Sequence, residues 1–136
     1  MSKSGICAVC ESPLHHPLAS YCKRCKKLLD RVDIRKKPDK IARARALQKS
    51  WDGHGFRCYY SGIRLVEDNH RDPRYLTFDH FTPRQESDIV IVAQVINDMK
   101  SDMADNEFRE MVLQLASYFT GGGFDERVFN LKYWKR

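Results

Sequence analysis

Asp79 and His80 stand side by side in the run Thr77-Phe78-Asp79-His80-Phe81-Thr82-Pro83, with Asp88, Asn97 and Lys100 downstream. A carboxylate and a side-chain amide oxygen are hard ligands that suit one divalent cation, and the adjacent histidine can take a proton from a water. Hydrolysis of a phosphodiester needs that division of labour, a cation to neutralise charge and a base to activate the nucleophile. Lys100, one turn beyond Asn97, could meet an adjacent phosphate; a surface lysine is the plainer reading.

A second constellation lies at the amino end. CAVCESPLHHPLASYCKRC places Cys7-x-x-Cys10 and Cys22-x-x-Cys25 eleven residues apart. Two such knuckles supply four thiolates to a tetrahedral Zn2+, and so short a loop has little other means of folding. His15 and His16 lie inside the loop and are read as loop residues, because four cysteines complete the ligand set. The fifth cysteine, Cys58, makes the count odd, which does not fit a secreted disulfide framework.

These residues need elements to hold them. Tyr75 to Phe78 reads as a strand ending at Asp79-His80, and the β-branched run from Asp88 to Val92 as a second. A helix is expected from about Ala93 through Met103, with Asn97 and Lys100 on one face. Tyr59-Tyr60 and Ile63 to Leu65 would flank a Ser61-Gly62 turn as a hairpin. Residues 105–119 form an amphipathic helix through Phe108, Met111, Val112, Leu115 and Phe119, stopped by Gly121 to Gly123. The tail FDERVFNLKYWKR is aromatic enough to pack back as one more helical turn. After the cysteines, Leu28, Leu29 and Val32 suggest a short helix. Pro38 permits a second, with Ile41, Ala44, Leu47 and Trp51 on one side and Arg43, Arg45 and Lys49 elsewhere.

With 136 residues, 42% hydrophobic and 31% charged, the chain can bury one ordinary core, or a small core plus a metal-stapled module. No apolar run approaches a membrane span, and MSKSGICAVC lacks the apolar stretch of a signal peptide, so a cytoplasmic setting without membrane contact is expected. The net charge of +6 is uneven: residues 1–57 carry +9 and residues 58–136 carry −3. A basic front half suits a polyanion, and an acidic back half suits a cation site that phosphate completes; solvated helix faces are the bland alternative.

At Asp79-His80, Asp88 and Asn97 the chain resembles the HNH, or ββα-metal, nuclease family. There a strand ends in Asp-His, an Asn opens the second strand, and a His or Asn follows nine residues later on a helix. Asp88 takes the middle Asn's place, and Asn97 follows it by nine. Asn97-x-x-Lys100-Ser101-Asp102 is similar to the HNH domains of CRISPR effector nucleases. The resemblance covers roughly residues 56–105. It implies an α+β fold with a ββα-metal core and flanking helices. On this reading residues 1–27 are the zinc-ribbon or knuckle module, 28–52 a basic helical connector, and 53–136 the nuclease domain with its helical extension.

The resemblance also implies roles. His80 is the general base. Asp79 and Asn97 coordinate Mg2+ or Mn2+, with oxygen at Asn97 favouring Mg2+ over softer metals. Cleavage leaves 5'-phosphate and 3'-hydroxyl ends. Asp88, in place of the bracing Asn, keeps only an acceptor, with which it either accepts backbone N–H bonds or orients His80. Many members bracket the site with a zinc held by two C-x-x-C pairs; here Cys58-Tyr59-Tyr60-Ser61 and Ala93-Gln94-Val95-Ile96 retain one ligand of four. Cys58 is therefore expected to be a buried apolar residue, with packing in place of that zinc.

The expected partner is DNA, double-stranded or branched, met by Arg84 beside His80 and by Arg43, Arg45 and Lys49 of the connector. A protein partner through the zinc module stays open, as do phage or mobile-element association and a dimer. The alternative is a zinc-ribbon nucleic-acid-binding or protein-docking module with a weak or inactive HNH fold. His54 and His70 read as loop residues, Tyr59 and Tyr60 as strand aromatics able to stack on a base, and Trp51 and Trp134 as packing.

Overall fold

The computed structural model describes residues 5–30, 39–85 and 87–134. Its elements run α1 (Lys23–Asp30), α2 (Asp39–Ser50), β1 (Leu76–His80), β2 (Ile89–Ala93), α3 (Gln94–Lys100) and α4 (Asp105–Phe119), then a 3-10 turn at Glu126–Phe129. The continuation of α1 proposed through Val32 toward Pro38 lies outside the described residues.

β1 and β2 pair antiparallel, from Leu76 opposite Ala93 to His80 opposite Ile89. Alternation gives each strand two faces, and both are covered. On one, the Asn97 amide of α3 meets Thr77. On the other, the Arg43 guanidinium of α2 lies 5.6 Å from the Phe78 ring centre. Burial on both sides accounts for the unbroken apolar run Ile89-Val90-Ile91-Val92. α3 starts directly after β2, which makes β1–β2–α3 one continuous unit.

The hairpin expected from Tyr59-Tyr60 and Ile63 to Leu65 about the Ser61-Gly62 turn is only partly realised, and its pairing residues lie further upstream, at Phe56 to Cys58. Leu65 N donates to Phe56 O and Cys58 N to Ile63 O around Gly62, whose φ of 72° suits glycine, but Arg57 and Arg64 make a single bridge instead of a ladder. Cys58 Sγ accepts instead from Ala93 N at 3.4 Å, which ties this turn to the end of β2. Just upstream, Asp52 Oδ1 accepts from the backbone N–H groups of His54 and Gly55, each at 2.8 Å, and closes the turn between Trp51 and Phe56.

The orientation of α2 differs from the expected one. Ile41 is 62% exposed, whereas Arg43, Ala44, Ala46 and Leu47 are buried. The small side chains of Ala44 and Ala46 let the helix approach the sheet, and Arg43 is accommodated on the Phe78 ring. α4 begins where Glu107 Oε1 accepts from Ala104 N at 2.9 Å and ends at Gly121, whose φ is 91°. The tail does return, with Asp125 N donating to Gln114 Oε1.

One apolar cluster runs from Cys7, Cys25, Leu28 and Leu29 through Leu47 and Phe56 to Leu76, Ile91 and Val92. The cysteine segment is therefore packed into the same core as the ββα unit. Arg24 strengthens the junction: its guanidinium lies 5.0 Å from the Trp51 ring centre and 5.5 Å from that of Phe56, and it forks onto Glu67. Among the described residues no helix is long and apolar enough to cross a membrane.

Candidate metal and active sites

The sulfurs of Cys7, Cys10, Cys22 and Cys25 all lie within 4.8 Å of one another, and Cys10 and Cys22 are 3.6 Å apart. A tetrahedral zinc with Zn–S bonds of ~2.3 Å needs sulfurs ~3.8 Å apart, so the four thiols fit it. Cys7 and Cys25 are fully buried. Val9 N and Cys25 N donate to Cys7 Sγ and Cys22 Sγ, bonds that orient thiolates toward a metal. Burial pushes the Cys22 thiol up, but donors from the Cys25 backbone and Ser12 outweigh it and hold its pKa at about 6. Burial and the neighbouring sulfurs raise Cys25 instead. Four crowded sulfurs cannot all carry charge without a cation, and a dication resolves the conflict.

The second site sits where β1 ends. Asp79 and His80 line one cavity of about 320 Å3 with Pro83, Arg84, Lys100, Ser101, Asp102 and Tyr133. Asp79 is buried, and burial pushes its carboxyl above the usual range, an effect that Lys100 and His80 oppose. Lys100 Nζ lies 3.1 Å from Asp79 Oδ2 and donates to the His80 carbonyl at 2.8 Å. Even so, Asp79 Oδ2 has no aligned hydrogen-bond donor, and the buried His80 Nε2 has no partner. An unpartnered His80 Nε2 beside an Asp79 Oδ2 that faces Lys100 at imperfect geometry leaves buried polar capacity that a bound cation and water would satisfy.

Asn97 is oriented by a relay. Thr77 Oγ1 donates its single proton to Val92 O at 2.7 Å, so it can only accept from Asn97, at 3.1 Å. The group facing Thr77 must then be the amide nitrogen, which leaves the Asn97 carbonyl oxygen as its potential ligand atom. Asn97 sits over the Thr77–Asp79 face of the strand but is not part of the cavity wall. Asp88 lies apart from His80: its Oδ2 accepts from Thr82 Oγ1 at 3.2 Å and its carbonyl from Phe81 N at 2.9 Å, closing the loop that follows the histidine. It faces a different cleft, of about 630 Å3, shared with Lys49, Tyr59 and Phe81.

The basic residues separate by exposure. Arg84, at φ 67°, reaches the cavity and is exposed; Arg45 and Lys49 are exposed on α2. Arg43 and Lys100 do not present cations to solvent: they are 4% and 1% exposed, held by Phe78 and by Asp79 with the His80 carbonyl respectively. Cys58, 3% exposed, belongs to the core cluster, against which Ile96 is packed. His16 Nδ1 accepts from Leu18 N, a local loop contact, and His54 and His70 are exposed. Asp102 and Tyr133 join the cavity wall without being among the expected site residues. Asp102 had a signal, its place in Lys100-Ser101-Asp102; Tyr133 had none, since only the returning tail carries it there.

The chain is thus a small α+β protein with a four-cysteine metal-binding cluster and a β–β–α arrangement. Comparison with protein-family models, with curated proteins and with solved structures returned no match.

Proposed function

We propose that this chain is a metal-dependent hydrolase of phosphodiester bonds, and more particularly an endonuclease of the HNH type acting on DNA. One observation carries the reading: adjacent Asp79 and His80 end β1 on one cavity that also has Arg84 in its wall, with His80 Nε2 buried and unpartnered and Asp79 Oδ2 facing Lys100 without an aligned hydrogen bond. Asp79 and the carbonyl oxygen of Asn97 would hold Mg2+ or Mn2+. When bound, such a cation neutralises charge on the phosphoryl oxygens and eases departure of the 3' oxygen. His80 Nε2 takes the proton from the attacking water, a role suited to an imidazole whose ordinary pKa of ~6.5 lies near neutrality. Lys100, through the His80 carbonyl, fixes the strand end that carries the base. Arg84 meets the phosphate. The products carry 5'-phosphate and 3'-hydroxyl ends.

Supercoiled plasmid incubated with the protein and Mg2+ or Mn2+ is expected to yield nicked circles, abolished by EDTA and reduced at least ~100-fold by His80→Ala. Equal nicking by wild type and His80→Ala would remove the histidine from the mechanism. A second reading, a zinc-stapled nucleic-acid-binding module without catalysis, is favoured by one contact: Lys100 already supplies a counter-charge to Asp79. Salt-dependent DNA binding without nicking under either metal is the outcome that selects it.

A further inference from the structure

α4 leaves most of its apolar stripe uncovered. Phe108, Val112, Leu115 and Phe119 follow at intervals of four, three and four, the spacing of a coiled-coil seam. Only Phe108 is buried, against the Tyr60 ring at 5.2 Å between centres; Phe119 at the other end is 77% exposed. The returning tail does not cover the stripe, since it bonds Gln114 and Glu107 on another side of the helix. Beside the buried end lies a groove of about 410 Å3 between α3 and α4, with Ile96, Met99 and Val112 in its wall. A projecting aromatic and an apolar groove thus occupy opposite ends of one stripe.

From this geometry we infer that the chain forms a two-fold homodimer through antiparallel pairing of α4 with α4 of a second copy, Phe119 of each seated in the other's groove. Phe119 and Val112 are seven residues, or ~10 Å, apart along the helix. A two-fold axis beside Leu115 and Ala116 therefore sets Phe119 of each copy opposite Val112 of the other, and the interface closes on itself. Charge agrees with the antiparallel sense. The last turn of α4 has no basic residue of its own, and Arg109 of the other copy would lie next to its carbonyl end. Area agrees too. At roughly 200 Å2 for a large side chain, the exposed parts of Met99, Val112, Leu115, Tyr118 and Phe119 come to about 550 Å2 per copy. Doubled, that clears the roughly 1,000 Å2 that a specific interface needs. The pairing does not depend on the proposed cleavage, because none of the seam residues touches Asp79 or His80. If cleavage holds, it supplies a second active site for the second strand.

Sedimentation equilibrium of the full chain with zinc bound is expected to show twice the 15.9 kDa monomer mass at the upper end of a concentration series. Phe119→Glu, at a position exposed in the single copy, should keep the circular dichroism spectrum of the folded chain and is expected to weaken the dimer at least ~100-fold. In the dimer a thiol from Leu115→Cys lies near the axis and should cross-link to its twin under mild oxidation, whereas thiols from Phe119→Cys, at opposite ends, should not. A monomer throughout the series, a dimer indifferent to Phe119→Glu, or equal cross-linking by both cysteine variants each overturns the inference. The first of these outcomes would assign the face to a different protein.

Discussion

Lys100 has its charge fully out of water, and its three donors are limited to what the strand end offers. Removing it with Lys100→Met would leave the Asp79 carboxylate buried without a counter-charge, a defect that costs about 3–5 kcal/mol. If Asp79 also binds a divalent cation, millimolar Mg2+ should raise the melting temperature of Lys100→Met more than that of wild type. Equal Mg2+ responses in thermal melts would count against Asp79 as a ligand. Asp52 behaves in the opposite way. Backbone N–H bonds from Gly55 and His54, with Arg57 and Arg64 close by, hold its carboxyl below the usual range. A depressed folded-state pKa stabilises above the unfolded value of ~3.9 and loses that contribution as the pH falls. Urea melts across the acid range should therefore show a shallower decline for Asp52→Asn than for wild type. A parallel decline would deny the carboxylate that role.

Within α2, exposure and not residue type decides which arginine can reach a polyanion. Arg45 and Lys49 face solvent, while Arg43 is packed on Phe78. Reversing charge at Arg45 and Lys49 together should weaken DNA binding and reduce its salt slope by about two, without loss of the folded state. Arg43→Glu should instead destabilise the protein, since it places a carboxylate in the α2–sheet contact. Binding titrations at several salt concentrations, paired with circular dichroism melts, separate the two effects. Unchanged binding in the Arg45 and Lys49 variant would move the nucleic-acid surface elsewhere, the walls of the His80 cavity being the next place to look. The loop after β1 follows the same logic. The Asp88 carboxylate accepts from the Thr82 hydroxyl, and not from a backbone N–H as expected, while Phe81 N bonds the Asp88 main-chain carbonyl, a contact independent of the side chain.

Across the molecule, the cysteine cluster and the ββα unit share one core through Leu28, Leu29, Leu47 and Phe56. Metal removal should then lower a single cooperative unfolding transition and not abolish a separate early one. Calorimetry with and without a strong zinc chelator checks this, and two independent transitions in the metal-loaded protein would contradict it. Replacing Cys22 and Cys25 by Ser should release about one zinc per chain and produce the same destabilisation.

Local patterns were legible because local physics sets them. The two C-x-x-C knuckles are legible from spacing alone, as thiolates three apart can share a metal; the bounds of α4 follow from its apolar period and its glycine stop; β1 and β2 follow from β-branched and aromatic runs. What packs against what is a different kind of information. The burial of Arg43 and Lys100, the turning of Ile41 to solvent, the joining of the cysteine segment to the sheet through Arg24, and the arrival of Tyr133 beside His80 all depend on contacts between residues distant in the chain. A periodic pattern shows that a helix has a face but not which neighbour claims it, because burial is settled by the sum of all contacts. For the same reason the seam of α4 reads in the sequence as an ordinary core face, and only the folded chain leaves it bare.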